Sequence, residues 1–119
     1  MKNQEILNLH QGLVNCGKLK GIKFAFAVAK NRKALAGVIE PFMETRKKLQ
    51  EEHSVKDKDG KQIIEKGQIK MKSLEKFNEE YEKLINIEVE IKLHKVDQKD
   101  IPEDITAGQL SGIMEIIKE

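Results

Sequence analysis

Residues 85–93 alternate strictly between apolar and polar, Ile-Asn-Ile-Glu-Val-Glu-Ile-Lys-Leu. At two residues per repeat, Ile85, Ile87, Val89, Ile91 and Leu93 line one face of a strand and the polar residues the other. Elsewhere the apolar positions recur at helical spacing. Residues 3–15 predict an amphipathic helix with Ile6, Leu9, Leu13 and Val14 on one side, ended by Gly17 in the left-handed conformation. Residues 22–52 predict one long helix of about 45 Å. Its core stripe is Phe24, Val28, Leu35, Val38, Phe42 and Leu49, interrupted by Asn31. A second, weaker stripe, Ala25, Ala29, Ala36 and Met43, is rotated from the first by roughly 100°. Pro41 falls inside this helix and presses on the carbonyl of Gly37, which predicts a kink near 37–41 because the stripe continues on both sides.

The pattern changes after residue 52. Lys56-Asp57-Lys58-Asp59-Gly60 reads as a turn. Gln62–Glu65 and Gln68–Met71 can pair around Lys66-Gly67 as a hairpin or form a flexible loop; this hairpin is the internal candidate to pair with strand 85–93. Ser73 is placed to cap a helix over 74–84 that buries Leu74, Phe77, Tyr81 and Leu84. Thr106 and Gln109 have capping-box spacing, and Ile105 with Leu110 fits a hydrophobic staple. The C-terminal helix they start would bury Leu110, Ile113, Met114 and Ile117. The expected fold is α+β and predominantly α: a single domain over 1–119, with a long kinked central helix, three shorter helices and a small antiparallel sheet made of hairpin 62–71 and strand 85–93. A strand with a single neighbour leaves an edge that must be shielded or paired with another chain.

Composition sharpens this picture in two ways. With 39% apolar and 35% charged residues, four Phe, one Tyr and no Trp, the core is thin or is completed by association. The net charge of +2 also conceals an asymmetry: residues 1–48 hold ten Lys/Arg against three acids, and residues 49–119 twelve against seventeen. The stretch 18–33 holds six bases and no acid: Lys18, Lys20, Lys23, Lys30, Arg32 and Lys33. These residues either balance the acidic half of the chain or bind an anionic ligand, a small molecule or a nucleic acid. Phe26 points away from both stripes of the helix, toward the first helix, a partner or a ligand.

Catalytic and metal signatures are sparse. His10, His53 and His94 follow no metal-ligand spacing, and His94 is expected as a solvated residue on the polar face of the strand. Cys16 lies beside a helix end without a His or acid partner. The single cysteine excludes an intrachain disulfide and fits a reducing compartment. Aligning Gly60 with the sixth position of a calcium loop puts Val55 and Lys66 where acidic ligands are required, so Asp57-Lys58-Asp59-Gly60 reads as a surface turn. Gly17-Lys18-Leu19-Lys20-Gly21 lacks the spacing of a phosphate-binding loop. The expectation is a non-enzymatic chain with no cofactor and no metal, with no signal peptide and no membrane span.

The succession of motifs is similar to a family of small uncharacterised proteins of bacteriophages and prophages. A Leu-rich first helix and a long Lys-rich helix from Phe24 to Glu51-Glu52 lead into the Asp-Lys-Asp-Gly turn. Glu75-Lys76-Phe77-Asn78-Glu79-Glu80-Tyr81-Glu82-Lys83-Leu84 follows, then Glu88-Val89-Glu90-Ile91 and the Pro102…Ile105-Thr106 helix start. The resemblance implies a viral or mobile-element origin and action in the cytoplasm of a bacterial host. The expected function is binding to a host or phage component as a homo-oligomer, for example as an anti-defence inhibitor or sequestering protein. The six bases would be its anionic-ligand surface. Ala25, Ala29, Ala36 and Met43, or the open strand edge, would be its oligomer contact. Two alternatives are a nucleic-acid-binding accessory protein and a virion or tail-assembly factor.

Overall fold

The computed structural model describes residues 1–119. The chain is α+β and predominantly α, in the order α1 (Asn3–Asn15), α2 (Ile22–His53), β1 (Ile64–Glu65), β2 (Gln68–Ile69), α3 (Leu74–Ile85) and α4 (Ala107–Ser111). Short 3-10 turns occupy Gln98–Asp100 and Met114–Ile116. The molecule measures 59 × 28 × 21 Å. Its length comes from α2, which continues as one helix past Pro41, as the stripe's continuation to Phe42 and Leu49 predicts.

The main core lies at one end of α2. Ile6, Leu9 and Leu13 of α1 meet Phe24, Ala27, Val28 and Leu35 of α2, and Val96, Ile113, Ile116 and Ile117 close the cluster. The first helix crosses the C-terminal segment at a pair of glycines: a Cβ added to Gly12 would stand 2.2 Å from the carbonyl oxygen of Gly112. Val14 stays 40% exposed, and Cys16 is buried in its place. Gly17 does not adopt the left-handed conformation. Gly21 has a positive φ, 119° with ψ 121°, an extended conformation open to glycine, and sets the entry to α2.

The other half of α2 forms an arm with α3 and the hairpin. Ser73 caps α3, its hydroxyl accepting from Lys76 N–H at 3.3 Å. The seam is aromatic: Phe42 meets Tyr81, Tyr81 stacks on Phe77, and Phe77 meets His53 edge-on. Leu74 stays exposed at the far end. Asp57 accepts from Asp59 N–H and Lys61 N–H, which builds the predicted turn. The hairpin forms around Lys66-Gly67, both at positive φ, with Ile64 opposite Ile69.

Segment 85–93 departs from expectation. Ile85 ends α3 and Asn86 is its C-cap. The rest is extended but makes one bridge only, Lys2 with Glu88. The hairpin does not reach it. The hairpin folds back on residues 54–56 instead, through bridges Ser54 with Met71 and Lys56 with Gln62. The alternation nevertheless reports a real environment: Val89, Ile91 and Leu93 are half-buried against the core, while Glu88, Glu90 and Lys92 face outward. Ile87, expected on the same apolar face, stays 50% exposed because the core does not extend to it. Burial on one face produces a period of two whether or not the backbone has a neighbour.

Three devices hold this segment and the residues that follow it. The Met1 nitrogen donates to Val89 O and Val89 N–H to Met1 O; Asn3 N–H donates to Ile87 O. Asn31, only 1% exposed, clasps His94 from α2: its amide donates to His94 O at 2.8 Å, and its oxygen accepts from His94 N–H at 2.7 Å. Val96 bonds on both sides to the tail, donating to Ile116 O and accepting from Lys118 N–H. That last pairing explains a second departure. The capping box of Thr106 and Gln109 forms as predicted, but α4 is five residues long. The chain leaves the helix at Gly112 and brings 116–118 alongside Val96, so Ile116 is buried and Met114 is 57% exposed.

Candidate functional site

All six bases of the 18–33 stretch are exposed. Lys18 and Lys20 lie on the connection between α1 and α2, and the other four within the first four turns of α2. None takes part in an ion pair. The ion pairs of the chain join Met1 to Glu88, Lys70 to Glu65, Lys83 to Glu80 and Lys118 to Asp97. The acidic half therefore does not neutralise this surface by direct contact.

The helix separates the bases. Lys23 and Lys30 share one flank, two turns apart, while Arg32 is rotated from Lys30 by roughly 160° at 3.6 residues per turn. Phe26 lies between Lys23 and Lys30 and is 57% exposed. The ammonium of Lys30 lies over its ring, 5.8 Å from the centroid. The His94 ring meets it edge-to-face at 5.5 Å. His94 is thus half-buried and held through its backbone by Asn31; it is not the freely solvated residue that the alternation suggests. A pocket of about 440 Å³ opens beside Phe26, lined by Ile22, Lys23, Lys95 and Lys118 together with two acids, Asp97 and Asp100. Asp97 is already engaged by Lys118 at 3.2 Å.

Lys95 and Lys118 carry no sequence signal of their own. Lys95 is brought to α2 by the Asn31 clasp and Lys118 by the bridge to Val96. The interruption of the apolar stripe at Asn31 is the one trace in the sequence of this arrangement.

Ala25, Ala29, Ala36 and Met43 are also exposed, along the side of α2 that carries Arg32 and turned from the core. Ile22 continues that line at 91% exposure. The open edge of the extended segment shrinks to a short stretch: the backbone groups of Glu90, Ile91, Lys92 and Leu93 make no hydrogen bond within the chain.

Cys16 sits apart from these surfaces, 1% exposed, with its thiol directed weakly at Gln109 O. Burial pushes its pKa up from the ordinary value of 9.0, so the neutral thiol is the favoured form. The stability this lends is intact below the unfolded pKa and is lost as pH rises through the raised folded value.

No helix is long and apolar enough to cross a membrane. Comparison with protein families, curated proteins and solved structures finds no match for this chain.

Proposed function

We propose that this protein acts by binding rather than by catalysis, and that its ligand is a polyanion held on the N-terminal half of α2. The observation that carries the reading is the set of six exposed bases with no ion-pair partner in the fold. A group of exposed charges of one sign raises the local concentration of an oppositely charged ligand and gains affinity by releasing its counterions, with Lys23 and Lys30 on one flank of α2 as its centre. The resemblance to phage proteins supports a setting in the cytoplasm of a bacterial host, where nucleic acid is the abundant polyanion. Sequestration or inhibition in host takeover is compatible with the same chemistry.

The expected result is a complex with DNA or RNA at about 50 mM salt whose affinity falls steeply as salt is raised. Replacing Lys18, Lys20, Lys23, Lys30, Arg32 and Lys33 with Gln together removes it. Mobility-shift titration is the measurement, and no shift with any DNA or RNA at that salt sinks the reading.

Self-association is a second reading, favoured by the exposure of Ile22 and Met43 in line with Ala25, Ala29 and Ala36. On an antiparallel pair of α2 helices related by a two-fold between residues 32 and 33, Ile22 meets Met43 and Ala29 meets Ala36 of the second copy. Light scattering at micromolar concentration is expected to give a mass above the 13.6 kDa of one chain. A strict monomer ends this reading and leaves the first untouched.

A further inference from the structure

The polyanion reading concerns charge alone, and charge does not explain Phe26. The other four aromatic residues are buried or half-buried: Phe24 and Phe42 in the core stripe, Phe77 and Tyr81 along the arm. Phe26 alone is exposed, and it lies within the stretch that carries no acid. Its position relative to the bases is specific. Lys23 is one turn before it and Lys30 one turn after it, at three and four residues, so all three project from one flank of α2. Lys23 and Lys30 stand about 10.5 Å apart along the axis. His94 braces the ring from the side and is itself anchored by the buried Asn31. A flat apolar face is thus fixed in orientation and bracketed by two flexible cations.

We propose that this flank binds single-stranded nucleic acid, one base stacking on Phe26 while Lys23 and Lys30 take the phosphates on either side of it. The inference rests on the polyanion reading and adds to it the chemical class and the contact. Aromatic stacking tolerates any base because each has a π-face, and basic side chains track the backbone; this pairing is how non-specific single-strand binders work. In the free protein Lys30 covers the ring. A base displaces it, and the ammonium stays within reach of the adjacent phosphate. A duplex keeps its bases stacked on one another, so Phe26 would have no base face to meet. Asp97 and Asp100 also line the pocket, and Asp97 is engaged by Lys118, so the phosphates are assigned to Lys23 and Lys30 on α2 and not to the pocket floor.

The test uses the full chain and a fluorescein-labelled oligothymidylate of about 12 nucleotides, within the range of single-strand site sizes. Fluorescence anisotropy is followed against salt. Phe26→Ala is expected to weaken binding about tenfold or more with the salt slope unchanged, and Phe26→Tyr to restore it. Lys23→Gln with Lys30→Gln is expected to lower both affinity and slope. Because these side chains are exposed, the thermal melts of the variants should overlay that of the parent, which separates lost contacts from lost folding. If Phe26→Ala binds like the parent while the lysine variants lose affinity, stacking is overturned and the polyanion reading survives. If no oligonucleotide binds at any salt, both fall. Thymidine monophosphate competing as well as the oligonucleotide, or a duplex binding as tightly as the single strand, overturns the strand assignment in favour of a free nucleotide or a groove contact.

Discussion

Gly12→Ala is expected to lower the melting temperature by about 10 °C, a loss of about 3 kcal/mol for a chain of this size. The added methyl would stand 2.2 Å from Gly112 O and 2.7 Å from Gly112 C. Both are backbone atoms, so no side-chain rotation relieves the contact. Either α1 or the C-terminal segment must move, and Ile6, Leu9, Leu13, Ile113 and Ile116 pack across that junction. Gly37→Ala is the matched control. It also lies inside a helix, but a Cβ there meets nothing within 4 Å. It removes backbone freedom from the unfolded chain and is expected to stabilise by about 0.5–1 kcal/mol. Thermal melts followed by circular dichroism would read the pair. Equal melting temperatures for parent and Gly12→Ala would mean that the close crossing does not exist.

Asn31→Leu is expected to cost about 2–4 kcal/mol, although it extends an apolar stripe in a helix. Leucine fills the site but leaves the N–H and C=O of His94 without partners, and each stranded group costs roughly 1–3 kcal/mol. Asn31→Asp separates the two bonds. A carboxylate still accepts from His94 N–H, but it faces the His94 carbonyl with a second oxygen and is buried at 1% exposure. A carboxyl group there is more stable protonated, when it can donate to His94 O as the amide does. The Asp variant should therefore gain stability as pH falls and lose it as pH rises through its raised pKa. Urea unfolding at pH 5 and 8 measures both effects. An Asn31→Leu chain within about 0.5 kcal/mol of the parent, the range of inconsequential surface changes, would show that the clasp contributes nothing. The clasp also bears on binding, because His94 braces Phe26; Asn31 variants that still fold should bind oligonucleotide more weakly than their exposed surface implies.

The first three helices were legible because each is specified locally; of the fourth only the start was. Apolar spacing placed α1, α2 and α3 within a residue or two of their observed limits, and Ser73, Thr106 and the Lys66-Gly67 turn act over three or four residues. The basic stretch was legible for the same reason: it is a run of charge. Its partner residues were not. Lys95 and Lys118 reach the Phe26 pocket through contacts that span 63 residues at Asn31 and His94 and a bridge between Val96 and Ile117.

Segment 85–93 shows where the boundary falls. Its sequence alone determined that Val89, Ile91 and Leu93 would turn to the core and Glu88, Glu90 and Lys92 to water, because alternation is a property of extended backbone against any apolar surface. How far that surface reaches, leaving Ile87 half exposed, it did not determine. Which groups would bond to that backbone is not encoded in the alternation. The tertiary structure decided it: residues 1–3 bond to Ile87 and Val89 in place of a hairpin, and the Asn31 side chain and the C-terminal tail hold the chain just beyond, at His94 and Val96. The same division holds for the stripe on α2. Asn31 reads locally as a defect in a hydrophobic face. Once His94 arrives from across the chain, it is the amide that satisfies an otherwise unpaired peptide group. A polar residue in a core has its meaning set by the partner that folding brings to it.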